Sequence, residues 1–219
     1  GAWQGLVTKV GQVNTECERI IGLSLDQFEK VVLLPQGKFQ QFLVSETKDR
    51  RELSALLDES RRQPPPRGFA RAISASPHLA VIAEIKRRSP SKGDLNAGLD
   101  PALMALRYQA GGATCLSVLT DENHFAGSVA DLQAARAACD LPVIRKDFTV
   151  DPRDVCDARI MGADCVLLIA AALSPDELHE LLGIARTVDI DALVEVHDER
   201  ELAVAIDAGA TLVGVNQRD

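Results

Sequence analysis

The feature that most constrains this chain is a rhythm that begins near residue 79. Short apolar runs recur at Leu79–Ile85, Cys115–Leu119, Pro142–Ile144, Cys165–Ile169, Ala192–Val196 and Thr211–Val215. Each is aliphatic or β-branched on both faces, the pattern of parallel strands covered on two sides. Stretches of helical composition separate them. Asp100-Pro101, Asp151-Pro152 and Ser174-Pro175 each place an N-cap residue ahead of proline at the first helical position. Ser174 to Glu177 and Ser128 to Asp131 have capping-box spacing. Gly111-Gly112-Ala113, Gly162-Ala163-Asp164 and Gly209-Ala210-Thr211 end helices and lead into strands, at intervals of roughly two βα units. The pattern predicts an α/β chain whose main part is an incomplete TIM (βα)8 barrel of about six βα units. It is preceded by a mainly helical N-terminal segment.

The most linker-like stretch is Arg61-Arg62-Gln63-Pro64-Pro65-Pro66-Arg67-Gly68, where three consecutive prolines favour extended backbone. It predicts a division into residues 1–62 and 63–219. The first part shows helical runs at Val13–Ile21, Leu25–Leu34 and 47–59, and no βα rhythm. With 46% hydrophobic and 26% charged residues, the 219-residue chain can bury a sizeable core. Its net charge of −8 argues against general affinity for nucleic acid or anionic membrane. No signal peptide and no apolar run of ~18 residues is present, so a cytoplasmic protein is expected. Cys17, Cys115, Cys139, Cys156 and Cys165 lack metal-ligand spacing and read as reduced, buried side chains. The sequence leaves the oligomeric state open.

In a barrel of this kind chemistry sits at the C-terminal ends of the strands. Strand one ends Ala83-Glu84-Ile85-Lys86, and period-two alternation sends Glu84 and Lys86 to one side. The later strands end in Arg145-Lys146-Asp147, Val194-Glu195-Val196-His197 and Val215-Asn216. Two readings are open. The charges are ion pairs at a barrel mouth, or they are acid–base groups, since partly buried charge is costly unless paired or used. The basic, hydroxyl-rich loop Arg87–Gly93 suits an anionic substrate, or is an ordinary polar loop. Phe125 and Phe148 suit an aromatic-substrate wall or core packing equally. His197 reads as a base or as a hydrogen-bonded surface residue and is left unassigned. No metal-ligand cluster, nucleophile triad, GxGxxG or P-loop is evident, so a cofactor-free reaction is expected.

These residues carry a resemblance. Ala80-Val81-Ile82-Ala83-Glu84-Ile85-Lys86-Arg87-Arg88-Ser89-Pro90-Ser91-Lys92-Gly93 resembles the opening signature of the indole-3-glycerol-phosphate synthases. Similar motifs follow in order: Leu119-Thr120-Asp121, Phe125 with Gly127-Ser128, Pro142–Phe148, Gly162-Ala163-Asp164, Leu193–His197 and Gly214–Asp219. The resemblance covers about residues 63–219. It implies closure of the indole ring of 1-(2-carboxyphenylamino)-1-deoxyribulose 5-phosphate, a small phosphorylated substrate, with loss of carbon dioxide and water. It further implies that Lys86 and Lys146 bind anionic groups and act as general acid, and that Glu195 is base or acid in the dehydration. Glu84 and Asn216 would orient and stabilise the intermediate, Ser89 and Arg218 would contact substrate, and Phe125 and Phe148 would pack on the anthranilate ring. Six strands fall two short of the family's barrel, from which little or no synthase activity is expected of this polypeptide.

Asp26–Leu43 is similar instead to the Q-loop region of SMC-like exonuclease ATPases of the SbcC type, with Gln36 in the glutamine position. That resemblance raises the alternative of a DNA-repair ATPase fragment fused to a non-catalytic partial barrel. The absence of a Walker A loop counts against it.

Overall fold

The computed structural model of the chain describes residues 51–89, 93–96 and 98–216. The helical runs expected at 13–21 and 25–34 lie outside these residues. Helix α1 (Leu53–Arg61) overlaps the run expected at 47–59, and α2 (Phe69–Ala75) follows the proline stretch.

The six apolar runs all become strands: β1 (Ile82–Ile85), β4 (Cys115–Leu119), β5 (Val143–Lys146), β6 (Cys165–Ile169), β7 (Asp191–Val196) and β8 (Leu212–Val215). They form one parallel sheet in the order β1-β4-β5-β6-β7-β8. Helices α3 (Pro101–Ala110), α5 (Val129–Ala138), α6 (Pro152–Met161), α7 (Pro175–Thr187) and α8 (Glu199–Asp207) connect them, with the single turn α4 (Glu122–Phe125) ahead of α5. This is the α/β architecture of a partial TIM barrel.

The sheet separates two apolar layers. Ala83, Ile85, Leu116, Val118, Val143, Val166, Leu168, Val194 and Val196 pack outward with the helices. Ile82, Cys115, Ile144, Cys165, Leu167, Ile169, Leu193 and Leu212 form the inner layer, joined by the fully buried Phe69 of α2. Strict alternation between the layers explains why no strand has a polar face along its length.

The helix signals act locally, as their chemistry requires. Asp100 accepts from the amides of Ala102 and Leu103, and Ser174 with Glu177 makes both halves of a capping box. Gly112, Gly162 and Gly209 take φ of 86°, 97° and 89°, the left-handed conformation that stops a helix without a Cβ penalty.

Two expectations are corrected, the start of the first strand and the Ser128–Asp131 capping box, and two features are added to the reading. The first strand starts at Ile82, not Leu79, because the carbonyl of Val81 receives Thr114 and Cys115 amides while Leu79 is exposed. The basic loop after β1 is partly ordered as an antiparallel ribbon, β2 (Arg88–Ser89) with β3 (Gly93–Asp94). Ser128 caps α5, but Asp131 turns away from the box to pair with both Nε and Nη2 of Arg87 at 2.9 Å. A two-point guanidinium partner outcompetes a single backbone amide.

Finally, the proline stretch is tied down. Arg159 donates to the carbonyl of Pro64 at 2.6 Å, and Arg67 donates to the carbonyls of Arg136, Cys139 and Leu141. Buried Asp164 accepts from the amides of Arg67 and Val143 and from Arg136.

Candidate active site

The inner layer ends in polar side chains where the strands end. Glu84 lies between the outward Ala83 and Ile85, Lys146 is two residues beyond inward Ile144, and Glu195 two beyond inward Leu193. Asn216 is four beyond inward Leu212, and its amide still donates to the carbonyl of Val196 at 2.8 Å, which extends the ladder by one residue. Lys86 keeps the parity of Glu84. All five residues expected to be catalytic therefore project from the same face and the same end of the sheet.

They meet in two groups. On β1, Lys86 Nζ donates to Glu84 Oε1 at 2.6 Å, and the Tyr108 hydroxyl of α3 donates to the Glu84 carbonyl at 3.1 Å. Burial, and after it the Glu84 charge, pushes the Tyr108 phenol up. In the second group Glu195, on β7, is the hub. Its Oε2 accepts from Lys146 Nζ at 3.2 Å and its Oε1 from Asn216 Nδ2 at 2.8 Å. Burial pushes this carboxyl up, but the Lys146 charge, the Asn216 and Lys146 hydrogen bonds and the His197 charge outweigh it. The group lies below its ordinary value.

The end of β5 is braced from behind. Arg145 donates to Asp147 at 2.9 Å and to Thr120 Oγ1 at 3.2 Å, and Thr120 Oγ1 donates to Asp147 at 2.6 Å. The loop after β4 is fixed by Asp121, which accepts from the His124 amide, and by Arg88, which donates to the carbonyls of Asn123 and His124.

Phe125 closes α4 and is buried; Phe148 is half-buried against the inner layer. Ser89 pairs by its main chain with Gly93 in the ribbon. Its side chain, and all of Arg218, lie outside the described residues. Among the described residues no cluster of His, Cys, Asp and Glu could hold a metal ion, and no helix is long and apolar enough to cross a membrane.

Sequence reasoning left out His197 and Glu201. His197 Nε2 stands 3.8 Å from Glu195 Oε1, while its Nδ1 and its amide meet Glu201 Oε2 at 3.0 and 2.7 Å. The signal was present as an i, i+4 His–Glu pair around the helix cap Asp198, whose carboxylate accepts from the amides of Arg200 and Glu201.

Similarity to known proteins identifies the family. The model of the indole-3-glycerol phosphate synthase family matches residues 38–219. An indole-3-glycerol phosphate synthase 2 of Streptomyces coelicolor is 53% identical over 178 residues, 80% of this chain and 69% of the relative. An indole-3-glycerol phosphate synthase of Chlorobium phaeovibrioides is 47% identical over 188 residues, 76% of this chain and 73% of the relative. The ATPase resemblance of residues 26–43 finds no support in these similarities. The family match itself takes in residues 38–43, and it crosses the proline stretch without interruption. The match spans most of the chain, and the relatives exceed the identity at which membership is in doubt. The chain belongs to the indole-3-glycerol phosphate synthase family.

Proposed function

We propose that this chain is a carbon–carbon carboxy-lyase of tryptophan biosynthesis. It closes the indole ring of 1-(2-carboxyphenylamino)-1-deoxyribulose 5-phosphate and releases carbon dioxide and water. The observation that carries the reading is the Lys146–Glu195–Asn216 cluster on the same rim and parity as the Glu84–Lys86 pair.

The chemistry asks for protons at defined oxygens and no electron carrier. As the aromatic carbon bearing the carboxylate attacks the ribulose carbonyl, that oxygen gains charge and takes a proton from a lysine ammonium. Loss of carbon dioxide returns its bonding pair to the ring. A second donation carries the new hydroxyl away as water, while a carboxylate takes up the proton released in forming the indole double bond. Lys86 and Lys146 suit the donor role and also the binding of anionic groups. Glu195 suits the proton-accepting role, because its Lys146 and Asn216 partners hold it ionised. Glu84 and Asn216 orient the intermediate. Phe125 and Phe148 lie against the anthranilate ring, and Ser89 and Arg218 contact the substrate.

The test is a calorimetric titration of the full chain with the phosphorylated substrate or its reduced analogue, repeated on Lys146→Ala. Binding weakened about tenfold or more by the loss of a charged hydrogen bond is expected. Equal binding by both proteins removes Lys146 from the site.

A further inference from the structure

We propose that His197 is a positioning residue for Glu195: locked by Glu201, it aims Nε2 at the carboxylate and keeps that carboxylate ionised. The proposal rests on the reading of Glu195 as the group that takes up the proton.

Geometry carries it. Glu201 as a carboxylate can only accept, so the Nδ1 that meets it at 3.0 Å bears the hydrogen. The His197 amide donates to the same oxygen at 2.7 Å, which fixes both the ring and the backbone at the end of β7. Nε2 is then the ring atom whose protonation is free to vary, and it faces Glu195 Oε1 at 3.8 Å. When it carries a proton, an imidazolium stands against the carboxylate and favours its ionised form. The orientation set by Glu201 directs that charge toward Glu195.

Lys146 reaches Glu195 from β5, Glu201 meets His197 from α8, and Asp198 at the helix cap draws on the His197 charge from an exposed position. Asn216, beyond β8, is an uncharged donor. Among the described residues, Lys146 and His197 thus hold Glu195 from two sides. The side chains of His197, Glu195 and Glu201 are 21%, 15% and 20% exposed, shielded enough for a charge at this distance to matter.

The test follows the Glu195 side-chain carboxyl carbon by NMR from pH 3 to 7 in the parent chain, His197→Asn and Glu201→Gln. The kcat/KM profile with the phosphorylated substrate is recorded for each. The Glu195 midpoint is expected to rise by roughly half a pH unit in His197→Asn and part of the way in Glu201→Gln. The acid limb of kcat/KM moves with it, and KM at the optimum stays within about twofold, because His197 acts through Glu195. A midpoint that stays in place in both variants overturns the proposal. Should His197→Asn fail to fold, Glu201→Gln decides alone, since a glutamine oxygen can still accept from the His197 amide. If the midpoint moves but no protein, parent included, turns over substrate, the coupling stands and the lyase reading falls.

Discussion

Lys146 Nζ stands 3.2 Å from Glu195 Oε2 although a whole strand, β6, separates β5 from β7. Neither residue's strand pairs with the other's. Their meeting depends on inward parity and on side chains long enough to reach over the end of β6. Replacing Lys146 with Ala is expected to lower kcat/KM by about 100-fold or more. Unfolding free energy should change by no more than about 1 kcal/mol, as for a pair at a solvated rim. Steady-state kinetics and urea unfolding check the two halves. A stability loss without an activity loss contradicts the assignment.

The depressed Glu195 carboxyl makes a pH prediction with a definite sign. Its folded value lies below the ordinary one, so its contribution to stability is fully present above the ordinary carboxylate range. That contribution is lost as pH falls through the folded value. Because Lys146→Ala removes the strongest force lowering it, the stability gap between parent and variant should be constant near neutrality. It should narrow below about pH 4. Urea midpoints measured from pH 3 to 8 test this, and a gap that widens in acid has the wrong sign.

Gly127 tolerates no side chain. A Cβ there would lie 2.1 Å from the Leu119 carbonyl oxygen at the end of β4, a backbone atom that cannot swing aside. Gly127→Ala is expected to cost about 2–4 kcal/mol in denaturant unfolding, more than an ordinary surface alanine. A cost under about 0.5 kcal/mol would show that this turn shifts freely.

Asp164 is the matching test at the opposite end of the sheet. It is fully buried and serves Arg67, Arg136 and Val143 together. Asp164→Ala strands those donors and should destabilise the fold by about 3 kcal/mol. The kcat/KM of the folded fraction should stay within about threefold, because the chemistry lies at the other ends of the strands. Thermal unfolding with kinetics at low temperature separates the two effects.

The four described cysteines should be inert in the native chain. All are buried. Burial pushes the Cys115 thiol up to about 12, with Asp164 and Asp191 adding to it, and burial drives Cys165 well up in the same way. Iodoacetamide at pH 8, read by mass spectrometry, should leave Cys115, Cys139, Cys156 and Cys165 unmodified until denaturant is added. Prompt native labelling of Cys115 contradicts the inner-layer packing.

Much of the fold was legible because the signals are local. Five of the six apolar runs become strands within two residues of their expected bounds, β5 running on to Lys146; only the first begins three residues late. Prolines after N-caps and glycines before strands mark the helix ends through their own backbone preferences. The parity of Glu84, Lys86, Lys146, Glu195 and Asn216 could likewise be counted along each strand. The choice of partner could not. Ser128 and Asp131 have the spacing of a capping box, yet Asp131 pairs with Arg87, 44 residues away. The prolines at 64–66 look like a linker, yet Arg159 of the barrel donates to the Pro64 carbonyl and Arg67 of the stretch donates to the carbonyl of Arg136.

The amino-acid order by itself determined the alternation of strands and helices, the two-sided apolar layering and the rim on which polar residues emerge. Those follow from torsional preference and side-chain period, which act over a few neighbours. Only the tertiary structure decided that Lys146, Asn216 and His197 converge on one carboxylate while Lys86 is paired with Glu84. The physical reason is that hydrogen bonds and ion pairs depend on distances of a few ångströms. Those distances between β5, β7 and β8 are set by how the whole sheet packs between its two layers, not by any one segment of the chain.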